Sequence, residues 1–125
     1  MGEIRYHSAR PNLEVREITP TLAFLTDVLR FDVVAAEGEP VTFTIIASGG
    51  ASFAVFVADG AAVPTAAACY VELDGVVELE RRCREAGAVI TAELTDRPWG
   101  LRDFVVQLPS GHQIAFGERI GGGVT

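Results

Sequence analysis

Leu13-Glu14-Val15-Arg16 alternates apolar and charged residues, the pattern of a half-buried strand. Thr19-Pro20 reads as a helix N-cap followed by a first-turn proline. Leu22, Leu25, Val28 and Leu29 then recur at helical spacing, which predicts an amphipathic helix over residues 20–29. Three β-rich stretches follow, at 31–37, 41–47 and 52–58. They are divided by the turn Glu37-Gly38-Glu39-Pro40 and by Ser48-Gly49-Gly50, so the last two form a hairpin. Residues 59–65 read as a small-residue linker.

The same order then returns. A strand is predicted at 67–73 and a helix at 75–86, whose apolar stripe is Val76, Leu79, Cys83 and Ala86. Glu78–Arg82 and Glu80–Arg84 are expected as i,i+4 ion pairs on its outer face, and Gly87 as its stop. Strands follow at 88–92, 103–108 and 112–118, with a loop at 95–100 and the turn Pro109-Ser110-Gly111. The second set lies about 57 to 61 residues after the first, an internal repeat. The chain is thus read as α+β: two tandem βαβββ modules, at about 10–58 and 67–119, with a glycine-rich tail at 121–125. A single unit cannot close a core alone. The two are expected to pack as one domain over residues 1–125, with the helix-free faces of a curved mixed sheet around a cleft.

Composition narrows the function. The ten basic residues are all arginine, against seventeen acidic ones, for a net charge of −7. Without a basic run, nucleic acid is not an expected partner. Without lysine there is no Schiff base, P-loop or Ser–Lys dyad. Cys69 and Cys83 lie in apolar-periodic stretches outside any zinc-type spacing and read as reduced core thiols. No apolar run approaches the roughly 20 residues of a membrane span, and residues 1–10 lack a secretory signal's apolar segment. A soluble, cytoplasmic protein with no membrane partner is expected.

Several stretches carry a family resemblance. Leu22-Ala23-Phe24-Leu25-Thr26-Asp27-Val28-Leu29-Arg30-Phe31 is similar to the pattern A-F-Y-x-x-V-L-G-F. Tyr70-Val71-Glu72-Leu73-Asp74-Gly75-Val76, running on to Ala86-Gly87, resembles the strand–helix of the family's second half. Arg97-Pro98-Trp99-Gly100, Asp103-Phe104 and Leu108-Pro109-Ser110-Gly111-His112 to Phe116 resemble its terminal P-W-G … F … D-P-x-G-N-x-I/V-x-F. The family is the glyoxalase/bleomycin-resistance/dioxygenase group, or vicinal oxygen chelate superfamily, and the resemblance covers roughly residues 11–119. Leu25, Arg30 and His112 depart from its usual Tyr, Gly and Asn. The resemblance implies the tandem βαβββ fold. It leaves activity open, since that fold hosts many functions.

Metal-dependent members place His or Glu at four strand positions facing the concavity. By the matched motifs these fall on Arg10, Ala54, Ala68 and Ala115, with Gly111 fixing the register at Ala115. Arg10 and Ala68 are fixed only to within a residue or two. None ligates a metal, so no metal and no cofactor are expected. His7 reads as a solvated histidine of the terminus and His112 as a surface or capping residue.

Strand parity fills in the cleft. Ser52, Ala54 and Phe56 share a face, as do Ala68, Tyr70 and Glu72, then Gln113, Ala115 and Gly117, and Arg10, Asn12 and Glu14. The loop at 95–103 holds the sole tryptophan, Trp99, and Arg102; Trp99 reads equally as a cap able to stack on a planar or cationic ligand and as a side chain packed on the subunit surface. The expected ligand-binding set is therefore Ser52, Ala54, Phe56, Tyr70, Glu72, Trp99, Arg102, Gln113 and Ala115, with no catalytic residue.

Three readings remain open. The resemblance to metal-free bleomycin-resistance-type proteins implies a homodimer sequestering an antibiotic-like, aromatic or cationic small molecule in a dimer cleft. The alternative is a glyoxalase- or dioxygenase-like enzyme with an unrecognised site, or one using Tyr70, Glu72 or Glu14 as acid or base. A module whose dimer surface is its whole function is a third possibility.

Overall fold

The computed structural model describes residues 2–62 and 66–121; residues 63–65 of the expected linker and 122–125 of the expected tail lie outside them. The first module runs β1 (Asn12–Val15), α1 (Ile18–Ala23), β2 (Asp32–Glu37), β3 (Phe43–Ser48) and β4 (Ala51–Val57). The second runs β5 (Ala67–Glu72), α2 (Val76–Glu85), β6 (Val89–Asp96), β7 (Leu101–Gln107) and β8 (Gln113–Arg119). Each is a four-stranded mixed sheet, ordered β1-β4-β3-β2 and β5-β8-β7-β6. In both, the helix crossover lets the first strand lie parallel to the last, and the other pairings are antiparallel. The expected tandem βαβββ architecture is present.

Alternation sets the faces. Leu13, Val15, Ile46, Phe53 and Val55 point to one side of the first sheet, and Phe104, Val106, Ile114 and Phe116 to one side of the second. With Leu25 and Leu29 from the first module and Val76, Leu79 and Cys83 from α2, they form one continuous core spanning both modules. Each large side chain so buried contributes roughly 1.5–3 kcal/mol. Cys83 is fully buried, which pushes its thiol up to about 11, and Cys69 is half-buried; both are free. No helix among the described residues is long and apolar enough to cross a membrane.

Local differences from the expected elements have physical causes. The first helix begins at Ile18, with Glu17 rather than Thr19 at its cap, and Pro20 sits in the first turn where no intrahelical donor is lost. Its second half, Phe24–Val28, widens into a π-helical turn. There Thr26 Oγ1 donates to the carbonyls of Leu22 and Ala23, at 3.0 and 3.3 Å, and Leu29 N reaches back to Phe24 O at 3.2 Å. Arg30 then takes a left-handed φ of 64° where α2 uses Gly87, φ 77°. On α2, Glu80 pairs with Arg84 as expected, but Glu78 pairs with Arg81. Arg82 turns instead toward the first module, its Nη1 lying 3.5 Å from Val28 O. β6 runs on to Asp96 because two register shifts let the strand re-engage β7 at Thr95 and Asp96.

Candidate functional site

Helices cover one face of each sheet and leave the other open. On the first open face Ala54 lies between Asn12 of β1 and Ile45 of β3. On the second Ala115 lies between Tyr70 of β5 and Val105 of β7. Ala54 is 4% exposed and Ala115 9%, so each floors its face beneath larger neighbours.

The register sharpens the metal question. The strict cross-strand partners of the two alanines are Asn12 and Tyr70, two residues beyond Arg10 and Ala68. Neither choice supplies the imidazoles and carboxylates that a divalent ion needs. Among the described residues no three His, Cys, Asp or Glu side chains cluster with metal-binding geometry. The residues present do not fit the metal that the fold family often carries.

The second open face instead holds a side-chain network. Tyr70 Oη donates to Asp103 Oδ2 at 3.0 Å, and Arg97 Nε donates to Asp103 Oδ1 at 2.9 Å. Asp103 is 7% exposed. Burial, then the hydrogen bond and charge of Asp103, push the Tyr70 phenol up to about 12. To reach Asp103 the tyrosine crosses β8 at Gly117, which is itself paired with Glu72 on one side and Asp103 on the other. Nearby, Thr91 Oγ1 donates to Gln113 Oε1 at 2.8 Å.

The expected ligand-binding residues divide into three groups. Ala54, Phe56, Gln113 and Ala115 lie on the open faces, as parity required. Ser52, Tyr70 and Glu72 also line a cavity of about 700 Å3 between the modules. Its apolar walls include Leu29, Phe31, Phe53, Val71, Leu79 and Phe116 from the core side. Trp99 stands at the β6–β7 hairpin, about half exposed. That hairpin is closed by Gly100 N to Arg97 O at 3.0 Å and tied to Ile120 N through Gly100 O, also at 3.0 Å.

Arg102 is not brought to the open face. It alternates with Asp103, shares the parity of Phe104 and Val106, and makes a two-point contact with Asp96 at 2.6 and 3.1 Å. Its neighbour Glu118 accepts from the N–H groups of Gly75 and Val76, both at 2.9 Å, and so caps α2. His112, expected at the surface, is 5% exposed; its Nδ1 lies 2.7 Å from Ser110 Oγ, and burial lowers its pKa. The Asp103 network is the feature missed in sequence. The sequence shows Arg97 as a loop charge and Asp103 as the start of a strand beside Trp99; pairing β7 with β8 puts Asp103 opposite Gly117.

Comparison with known proteins places this geometry. Residues 9–116 match the family model described as Glyoxalase/Bleomycin resistance protein/Dioxygenase superfamily. No curated protein matches significantly. Among solved structures, the chain is similar to TioX from Micromonospora sp. ML1, with TM-score 0.78 and 22% identity over 92% of this chain and 100% of that one. It is similar to TnmS3, an antibiotic binding protein from Streptomyces sp. CB03234, with TM-score 0.74 and 20% identity over 94% and 99%. It is also similar to lactoylglutathione lyase from Agrobacterium tumefaciens, with TM-score 0.72 and 18% identity over 93% and 96%. At these identities the likeness is one of fold.

Proposed function

This chain belongs to the glyoxalase/bleomycin resistance protein/dioxygenase superfamily, and from that premise we propose that it is a metal-free binding protein that sequesters an aromatic or cationic, antibiotic-like small molecule. The observation that carries this reading is the pair of buried alanines, Ala54 and Ala115, at the centres of the open faces. They stand where a metal-dependent relative would hold its ligands, and their partners Asn12 and Tyr70 supply no substitute. A ligand on either floor meets that face's aromatic side chain, Phe56 on the first and Tyr70 on the second, with Trp99 at the hairpin as a cap. A net charge of −7 draws cationic ligands by long-range attraction. Each open face is one wall of a cleft, and a second copy of the chain, in a homodimer, supplies the opposite wall. The protein acts in the cytoplasm.

Trp99 reports on its own site, being the only tryptophan in the chain. Titration with a panel of cationic glycopeptide and planar aromatic antibiotics is expected to change its emission saturably, with calorimetry giving the same affinity. No saturable signal from any member would count against the reading.

A second reading, an enzyme, draws on the Tyr70–Asp103–Arg97 network. With its phenol pushed up to about 12, Tyr70 keeps its proton at neutral pH, held on Asp103, so it is not a base and would orient a substrate through its oxygen lone pair. Turnover of a substrate that fails in Tyr70→Phe would establish this alternative. A stoichiometric divalent ion in the purified protein would overturn the metal-free assignment.

A further inference from the structure

Gly117 is where the second open face becomes specific. A Cβ built on it would stand 1.7 Å from Tyr70 Oη and 2.5 Å from Cζ, so the phenol occupies the space a side chain would take. The backbone there is not in the left-handed region, so conformational freedom does not call for glycine. Contact with the ring does. The hydroxyl thus seated donates to Asp103, whose other oxygen is held by Arg97. Both carboxylate oxygens are engaged, and Asp103 is buried. Tyr70 itself is 44% exposed. Its proton is committed to Asp103, which leaves its oxygen lone pair as the polar function the phenol can offer a ligand.

We propose that Tyr70 is the specificity-determining acceptor of this site: fixed over Gly117 by Asp103 and Arg97, it selects aromatic ligands that offer an O–H or N–H donor. The proposal rests on the binding reading above and adds the ligand's chemistry. A ligand with a donor satisfies the phenol oxygen. One without leaves a desolvated acceptor unpaired, which lowers affinity about tenfold. Gly117 acts as a positioning residue, since any larger residue displaces the ring. The high phenol pKa agrees, because the proton stays on the Asp103 bond throughout the neutral range.

Two probes separate the possibilities: 2,6-dihydroxyanthraquinone and its dimethyl ether, titrated by calorimetry into the intact protein. The dihydroxy compound is expected to bind about tenfold more tightly. Tyr70→Phe should bring it down to the affinity of the ether and leave the ether unchanged. Gly117→Ala should likewise abolish the preference, and Tyr70→Phe decides the matter should that variant not fold. Equal binding of the two probes to wild type, or a preference that survives Tyr70→Phe, overturns the selector while binding itself stands. Binding of neither probe also overturns the selector, and the binding reading then stands or falls on the antibiotic panel.

Discussion

In the first module Phe43 faces Phe56 across β3 and β4, ring centroids 6.4 Å apart. The register-equivalent pair in the second module is Asp103 and Gly117. The equivalences extend outward: Asn12 corresponds to Tyr70, Glu14 to Glu72, and Ala54 to Ala115. Where the first sheet fills its open face with Phe56, the second deletes that side chain and swings in a ring from the neighbouring strand. The volume is kept while the chemistry changes. A phenyl ring becomes a phenol with a fixed proton, and the facing phenylalanine becomes the carboxylate that fixes it. A repeated architecture therefore carries two unlike surfaces, one apolar and adaptable, one polar and pre-organised.

Removing the carboxylate is the strongest way to break this contrast. Asp103→Ala is expected to cost about 2–3 kcal/mol, because two hydrogen bonds to a buried charged group are lost. Urea unfolding measures it, and a cost no greater than that of Phe43→Ala would show that the network adds nothing specific. Next is Gly117→Ala, expected to cost about 2 kcal/mol by over-packing against Tyr70. In a Tyr70→Ala background the same change should cost almost nothing, since the ring it meets is gone. A penalty that persists there would separate Gly117 from Tyr70.

The helix ends sharpen the comparison on a smaller scale. Both modules turn through a left-handed residue after the helix, Gly87 in one and Arg30 in the other. Arg30→Gly is expected to stabilise the chain by about 1 kcal/mol by relieving the clash of a Cβ in that conformation. Equilibrium unfolding checks the sign.

Titration distinguishes the modules most gently. Burial lowers the pKa of His112 in the second module, so the unfolded chain binds its proton first as pH falls. Stability should decline below about pH 6.5, and His112→Gln should flatten that decline. Tyr70 has the opposite sense. Its raised pKa contributes stability that is complete below the unfolded value near pH 10 and is lost as pH rises through about 12. In a Tyr6→Phe background, ultraviolet absorbance follows Tyr70 alone, and Asp103→Asn should bring its titration down.

How much of this was legible in sequence follows the range of the interactions. Alternation and glycine stops are local, so the order of elements along the chain and the repeat can be read directly, while the family resemblance supplies Ala54 and Ala115 and parity the residues that share their faces. The end of β6 could not, because register shifts between Ile90 and Thr95 hide the period. Arg102 stands near Trp99 in sequence, while strand parity places it with Phe104 on the helix side. His112 follows a turn glycine, a position usually solvated, and its burial depends on the fold around it. The Tyr70–Asp103 bond joins residues 33 positions apart, and only strand pairing brings them together.

The most direct test of the account is a pair of ligand titrations on one preparation, first in excess EDTA and then with added Zn2+, Ni2+ or Mn2+. Saturable binding to a panel antibiotic with the same affinity in every arm is the expected result. Binding or turnover that appears only when a divalent ion is present would contradict it.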